Sequence, residues 1–126
     1  MLVFQQKNAT ASQHFENKGG QSGIAANGDG SMQATMGIGI SDVNGNERPD
    51  VFTTNFSSDT NTLHTNDSSG FFDDQTKRYG LGIASRTLLG WTCGFHDFDM
   101  DGDDALQIAE RDVRNNPYYC RSEDVV

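Results

Sequence analysis

The sequence has few of the features that most readily identify a function, since it contains two cysteines, two prolines and no long apolar run. Two cysteines do not make a disulfide framework: Cys93 and Cys120 allow one disulfide, and two free thiols are the alternative. No stretch approaches the roughly 18 apolar residues that a membrane-spanning helix needs. Residues 1–7 lack the basic and apolar regions of a signal peptide. The sequence therefore favours neither a disulfide-rich nor a membrane-spanning protein.

Positive charge is also scarce, because nine lysines and arginines face 18 aspartates and glutamates, for a net charge of −9. Such a balance argues against nucleic acid or an anionic membrane as the partner. It suits a protein that binds cations. With 126 residues, of which 34% are hydrophobic, the chain is at most one small domain with a modest core.

Two acidic stretches stand out, the first at 42–50 and the second, with the sequence DFDMDGDD, at 97–104. Carboxylates at alternate positions of a tight loop repel one another unless a cation lies among them. Ca²⁺ takes six to eight oxygen ligands from loops of this kind. Both stretches are therefore candidate Ca²⁺ sites.

Short apolar runs separated by turn residues predict an all-β fold of antiparallel strands, with Phe15 facing inward and Ile24 buried in a long polar loop. Residues 36–40 alternate large apolar side chains with glycine, which predicts a strand close to another backbone. Residues 105–114 fit a helix or a strand, and we favour a strand followed by an irregular tail. The predicted strands are residues 2–6, 13–16, 36–40, 51–56, 61–65, 71–76, 90–95 and 106–109.

The two acidic stretches belong to a repeat, because the flanks of Asp42 and Asp97 match when the sequence is shifted by the distance between them, an offset of 97 − 42 = 55. A second comparison, of Phe15 with Phe72, gives an offset of 57. A period of this length with four short strands is typical of β-propeller blades. We therefore expect half a blade, one full blade and half a blade, which do not form a closed propeller. The predicted segments are 1–35 (last two strands of a blade and a loop), 36–79 (complete blade), 80–110 (first two strands of the next blade) and 111–126 (irregular tail).

These features together resemble the FG-GAP/VCBS repeat proteins, in the branch related to the ASPIC/UnbV and cartilage acidic proteins. The resemblance runs in order through roughly residues 14 to 109, and its matching segments are 36–42, 50–56, 61–63, 66–67, 70–74, 80–82, 90–91 and 95–103. It implies a β-propeller with Ca²⁺ in a loop of each blade, an extracellular or periplasmic location, and binding to a protein or carbohydrate ligand, as in cell adhesion, rather than catalysis.

The resemblance also implies the metal ligands, which are side chains at the first, third, fifth and ninth loop positions and the carbonyl of the seventh. In the first loop these are Asp42, Asn44, Asn46, Asp50 and the carbonyl of Arg48. In the second loop they are Asp97, Asp99, Asp101 and the carbonyl of Asp103. Glu47 stands where glycine is usual, and Ala105 stands where the ninth ligand should be, with Asp104 one residue early. The first loop alone has a full ligand set, so we expect it to be the better site.

Other functions fit the residues less well. An EF-hand needs a glutamate at loop position twelve, where this chain has Thr53 and Ile108. A hydrolase needs paired acids in a pocket, whereas the acids here cluster on loops. Two solvated acidic turns without a metal remain the simplest alternative. We therefore expect a non-enzymatic Ca²⁺ binder.

The half-blades at each end predict a second role, in which the terminal strands of one chain complete a blade with the next in a head-to-tail homo-oligomer. This structural, self-assembling role is the alternative to an interaction module with its own ligand.

Overall fold

The computed structural model of the chain describes residues 4–9, 12–111 and 120–125, and the side chains of residues 15–110. These residues contain nine strands and no helix. The strands are β1 (Phe4–Ala9), β2 (Ser12–Asn17), β3 (Thr35–Ser41), β4 (Asp50–Asn55), β5 (Thr62–Asn66), β6 (Phe72–Asp74), β7 (Leu89–His96), β8 (Ala105–Arg111) and β9 (Cys120–Val125). The predicted all-β class is confirmed.

The strands form three antiparallel sheets that do not close on themselves: β1-β2, β3-β4-β5-β6 and β7-β8-β9. The four-stranded sheet is a simple meander, as the turn residues between its strands predict. The strand prediction for residues 105–114 is confirmed as far as Arg111.

The irregular tail predicted for residues 111–126 is wrong at residues 120–125, which form β9 and pair with β8 from Leu106↔Val125 to Arg111↔Cys120. Its sequence, CRSEDV, has no apolar alternation, so the side chains give no strand signal. The free edge of β8 supplies the reason, because its unpaired backbone groups can be satisfied by a neighbouring strand whatever its side chains. Residues 112–119 of that tail lie outside the described part.

The core lies between the four-stranded and the three-stranded sheet. Phe52 and Leu63 of the first pack against Leu106 and Ile108 of the second, and all four are at most 8% exposed. Around this cluster pack Val43, Leu81, Cys93 and Phe95. Ile24 is buried as predicted, whereas Phe15 is 54% exposed, so the prediction of an inward-facing Phe15 is wrong. Its sheet has only two strands, which are too few to enclose an aromatic side chain.

Glycine lets β3 and β7 approach closely. A Cβ atom on Gly37 would lie 2.7 Å from the Cα of Thr92, and one on Gly39 would lie 3.2 Å from the ring of Phe95. This confirms the prediction that the strand at residues 36–40 lies close to another backbone.

The repeat is visible in the backbone as well as in the sequence. The pairing of β3 with β4 is irregular between Thr35 and Gly37, and that of β7 with β8 between Gly90 and Thr92. These two irregularities are separated by the same offset as the acidic loops. The two strand pairs therefore share one local geometry.

Candidate metal centre

The two acidic loops lie next to each other at one end of the packed sheets. The first joins β3 to β4, and the second joins β7 to β8. Since Gly37 faces Thr92 and Gly39 faces Phe95, β3 and β7 run side by side in the same direction. Ser41 at the end of β3 donates a hydrogen bond of 2.6 Å from its Oγ to Oδ2 of Asp104 in the second loop.

In the first loop, backbone amides bond to the predicted ligands. Asp42 accepts from the backbone N of Asn46 at 3.0 Å and of Glu47 at 2.6 Å. Oδ1 of Asn46 accepts from the backbone N of Arg48 at 2.9 Å, and Oδ1 of Asn44 from that of Asn46 at 3.1 Å. The loop therefore curls around its own side-chain oxygens.

The second loop repeats three of these bonds. Asp97 accepts from the backbone N of Asp101 at 3.2 Å and of Gly102 at 3.0 Å. Oδ1 of Asp101 accepts from the backbone N of Asp103 at 3.0 Å. Each donor and acceptor follows its counterpart in the first loop at the offset of the sequence repeat. The two loops therefore share one conformation.

Each loop also has two residues in the left-handed region of φ. In the first these are Gly45 (φ +72°) and Glu47 (φ +62°), and in the second Met100 (φ +60°) and Gly102 (φ +98°). The positions correspond pairwise, and each loop has glycine at only one of them. This conformation destabilises a residue that has a Cβ atom by roughly 1–2 kcal/mol. Glu47 therefore strains the first loop, as its place in the sequence predicted.

Replacing Glu47 by glycine is therefore expected to stabilise the fold. Glycine removes the strain at φ +62° but leaves a more flexible unfolded chain, so the free energy of unfolding should rise by about 0.5–1 kcal/mol. Chemical denaturation measures the change. The matched variant is Gly45→Ala, which should lower the free energy of unfolding by a similar amount. A stabilising Gly45→Ala would contradict the left-handed conformation of this loop.

Asp50, the predicted ninth-position ligand, is fully buried and closes the first loop. Its Oδ2 accepts from the backbone N of Val43 at 3.0 Å, and its Oδ1 from that of Asn66 at 2.7 Å. The carboxylate thus lies beside the first residues of the loop. Each oxygen keeps a lone pair, because one hydrogen bond uses only part of the accepting capacity of a carboxylate oxygen.

The second loop has more charge and no such closure. Oxygens of Asp97, Asp99 and Asp101 all lie within 4.8 Å of one another, and the three residues are exposed. Ala105, at the ninth position, begins β8 opposite His96 and offers no side-chain oxygen. Asp104 bonds to Ser41, so its carboxylate is directed towards the end of β3. The structure thus brings the three predicted side-chain ligands of the second loop together, and the ninth position adds no side-chain oxygen to them.

Sequence reasoning missed the role of Asn66, which ties β5 to the first loop. Besides the bond to Asp50, Asn66 accepts a bond of 3.0 Å from Nδ2 of Asn46 and donates one of 3.3 Å from its Nδ2 to the carbonyl of Pro49. The match of Asn66-Asp67 to the family pattern was the available signal. The sequence did not indicate the role of Asn66 because Asn66 lies on β5, whereas the loop that it contacts joins β3 to β4.

The other reactive side chains in the described part are structural. Burial raises the pKa of Cys93 to about 11, and its thiol is free and lies near the carbonyl of Phe52. Nε2 of the buried His64 lies 3.1 Å from the carbonyl of Ala26. Burial alone would raise the pKa of Asp74, but bonds from Thr76 and Gly28 and the charge of His64 outweigh it and lower that pKa.

An apolar cleft of about 220 Å³ lies between the sheets beside both loops. Its walls are mostly apolar, with one carboxylate and one phenol. The lining residues are Val43, Leu63, Tyr79, Leu81, Phe95, Asp104 and Leu106.

Comparisons with protein-family models, with curated proteins and with solved structures find no match for this chain. Among the described residues there is also no helix with the length and apolar character to cross a membrane.

Proposed function

We propose that this chain is a non-enzymatic Ca²⁺-binding module of the FG-GAP/VCBS repeat type, built from β-propeller blades. The four-stranded sheet would be the complete blade and the flanking sheets parts of its neighbours. The observation that carries the proposal is the first loop, where the oxygens of Asp42, Asn44 and Asn46 are held by backbone amides and closed by the buried Asp50. Oxygen-only ligand sets of this kind suit a hard cation such as Ca²⁺.

The recurrence of the loop at the same offset supports this assignment. The two loops share three hydrogen bonds and both left-handed positions, which supports a common role, and the side chains at their first, third and fifth positions all offer oxygen atoms. Both loops have Asn or Asp at the third and fifth positions, so both present side-chain oxygens there. In the proposed role the bound ion joins successive strands and stiffens the loop end of the sheets.

The module would use this loop end to bind a protein or a carbohydrate outside the cytoplasm. The apolar cleft beside the loops, with Tyr79 at its wall, offers the aromatic and aliphatic surface that such ligands use. A non-enzymatic role is also supported by the raised pKa of Cys93, about 11, and by the exposure of the clustered acids Asp97, Asp99 and Asp101.

Calorimetric titration with Ca²⁺ tests the proposal. With only Asp42 and Asp50 charged among its ligands, the first site should bind with a dissociation constant on the order of 10⁻⁴ M. At a hundredfold excess over that constant, Ca²⁺ should raise the free energy of unfolding by about 2.7 kcal/mol, and EDTA should reverse the effect.

Two matched variants locate the site. Asp42→Ala should abolish the binding heat, while Asp97→Ala, the same change in the second loop, should leave it nearly unchanged. Ala105→Asp restores the ninth ligand of the second loop and should add a second binding event. A wild-type chain that binds no Ca²⁺ at millimolar concentration would refute the proposal. Loss of binding in Asp97→Ala but not in Asp42→Ala would show that the second loop, and not the first, is the binding site.

A further inference from the structure

One face of β3 carries an apolar row that the described part of the chain leaves uncovered. Met36, Ile38 and Ile40 point to this face and are 42%, 50% and 63% exposed. Val51 and Thr53 of β4 point the same way but are buried. We call the surface of Met36, Ile38 and Ile40 the open face. An apolar row that alternates along a strand in this way is unusual for a surface in contact with water.

The repeat shows what kind of surface covers such a row. Ile38 and Ile40 correspond to Cys93 and Phe95, which lie one repeat later and pack inside the chain. Their cover is the glycine side of β3, since a Cβ atom on Gly39 would lie 3.2 Å from Phe95 and 3.4 Å from Sγ of Cys93. The cover is thus a strand pair with glycine on its inner strand.

The chain presents the equivalent of that cover on the far side of the three-stranded sheet. Gly94 corresponds to Gly39, and the ring of His96 in the same row lies over it, since a Cβ atom on Gly94 would lie 2.8 Å from Nε2 of His96. We call this surface the far face. It consists of Thr92, Gly94, His96, Gln107 and Ala109. Thr92, Gly94, Gln107 and Ala109 carry no charge, whereas Gln107 pairs with Asp124 of β9, so the far face is uncharged along β7 and the adjoining row of β8 only.

We propose that the open face binds the far face of a second copy of this chain. The contact repeats between copies the packing that joins the two sheets within one copy. It is heterologous, because each copy uses one face for the preceding copy and the other face for the next. It goes beyond the proposed function, since it uses sheet faces and needs no bound ion.

The packing differs from a completion of blades by exchanged strands. β9 already pairs with the edge of β8 that an incoming strand would use, whereas a contact between faces leaves that pairing intact. Two positions weaken the contact: the ring of His96 must turn away from Gly94, and Thr92 stands where the covering strand within the chain has Gly37. A Cβ atom on Gly37 would lie only 2.7 Å from the opposing backbone, so Thr92 must hold the two copies further apart.

Sedimentation velocity of the full chain in Ca²⁺-containing buffer, from about 5 to about 500 µM, tests the proposal, because small contacts of this kind have micromolar or weaker affinity. The average mass should rise above the monomer's 13.8 kDa with concentration. Ile38→Lys on the open face and Ala109→Arg on the far face should each remain monomeric. An equimolar mixture of the two should form a 1:1 dimer and nothing larger, because each variant keeps one working face.

Thr92→Gly provides the opposite change. It removes the obstructing Cβ atom and should tighten self-association severalfold, whereas a face that only meets solvent would show no change. Thermal melts confirm that each variant is folded. A wild-type chain and a Thr92→Gly variant that both stay monomeric would overturn the proposal, as would an Ala109→Arg variant that associates like wild type. Either result leaves the Ca²⁺ titration unaffected, so the two proposals fail separately.

Discussion

Asp50→Ala should lower the free energy of unfolding by about 2–6 kcal/mol and abolish the proposed Ca²⁺ binding in the first loop. Asp50 is fully buried, and its two oxygens are the acceptors for the backbone N–H groups of Val43 and Asn66. Alanine leaves both donors without these partners, at a cost of about 1–3 kcal/mol for each. A small domain has only about 5–15 kcal/mol of stability, so much of it would be lost.

Urea denaturation without Ca²⁺ measures the stability effect separately from the metal effect. Asp104→Ala is the matched control, since it also removes an acid at the loop end, but an exposed one whose partner is the hydroxyl of Ser41. Its free energy of unfolding should change by less than about 1 kcal/mol. Equal destabilisation by the two variants would show that burial of Asp50 does not anchor the loop.

Asp50 also shows where sequence reasoning succeeds and where it stops. Its place at the ninth loop position was implied by the resemblance of the sequence to the FG-GAP/VCBS repeats. The sequence did not predict that Asp50 is fully buried or that it contacts β5 through Asn66. That contact depends on the pairing of β4 with β5 and not on the order of residues within the loop. The position of Asp50 in the loop is a local property of the sequence, whereas its burial and its contact with Asn66 are properties of the sheet.

The strands also fall into two groups, those that local sequence predicts and one that depends on a neighbouring strand. The alternation of apolar residues with turn residues predicted eight strands, because turn residues and β-branched residues act locally. β9 was missed because its pairing arises from the free edge of β8 and not from its own side chains. The inward orientation of Phe15 failed for a related reason. An alternating pattern gives a face, but whether anything covers that face depends on the neighbouring sheet.

The repeat is the feature that the sequence predicted in the most detail. The offset between Asp42 and Asp97, taken from side chains alone, recurs in strand irregularities, loop hydrogen bonds and left-handed residues. Backbone conformation follows the repeat even where the residue type does not, as Glu47 and Met100 show. The fold therefore imposes these conformations on residues that disfavour them.

Gly37→Ala should lower the free energy of unfolding by about 2–3 kcal/mol, a large effect for one methyl group. The new Cβ atom would lie 2.7 Å from the Cα of Thr92 and 3.2 Å from the backbone N of Cys93. Backbone atoms of a paired strand cannot move away without disturbing the pairing of β7 with β8. The four-stranded and three-stranded sheets must therefore separate, which loosens the core between Phe52 and Ile108.

Gly39→Ala is the matched control on the same strand and face. Its Cβ atom would meet the ring of Phe95 at 3.2 Å and Sγ of Cys93 at 3.4 Å, and these side-chain atoms can shift by a few tenths of an ångström. Because alanine also reduces the freedom of the unfolded chain, by about 0.4–1 kcal/mol, its net effect should be within about 1 kcal/mol of zero. The difference in denaturation midpoint between the two variants thus measures how closely β3 approaches the β7 backbone. If Gly37→Ala is no more destabilising than Gly39→Ala, the two sheets do not pack backbone to backbone at Thr92, and the glycine row of β3 has another cause.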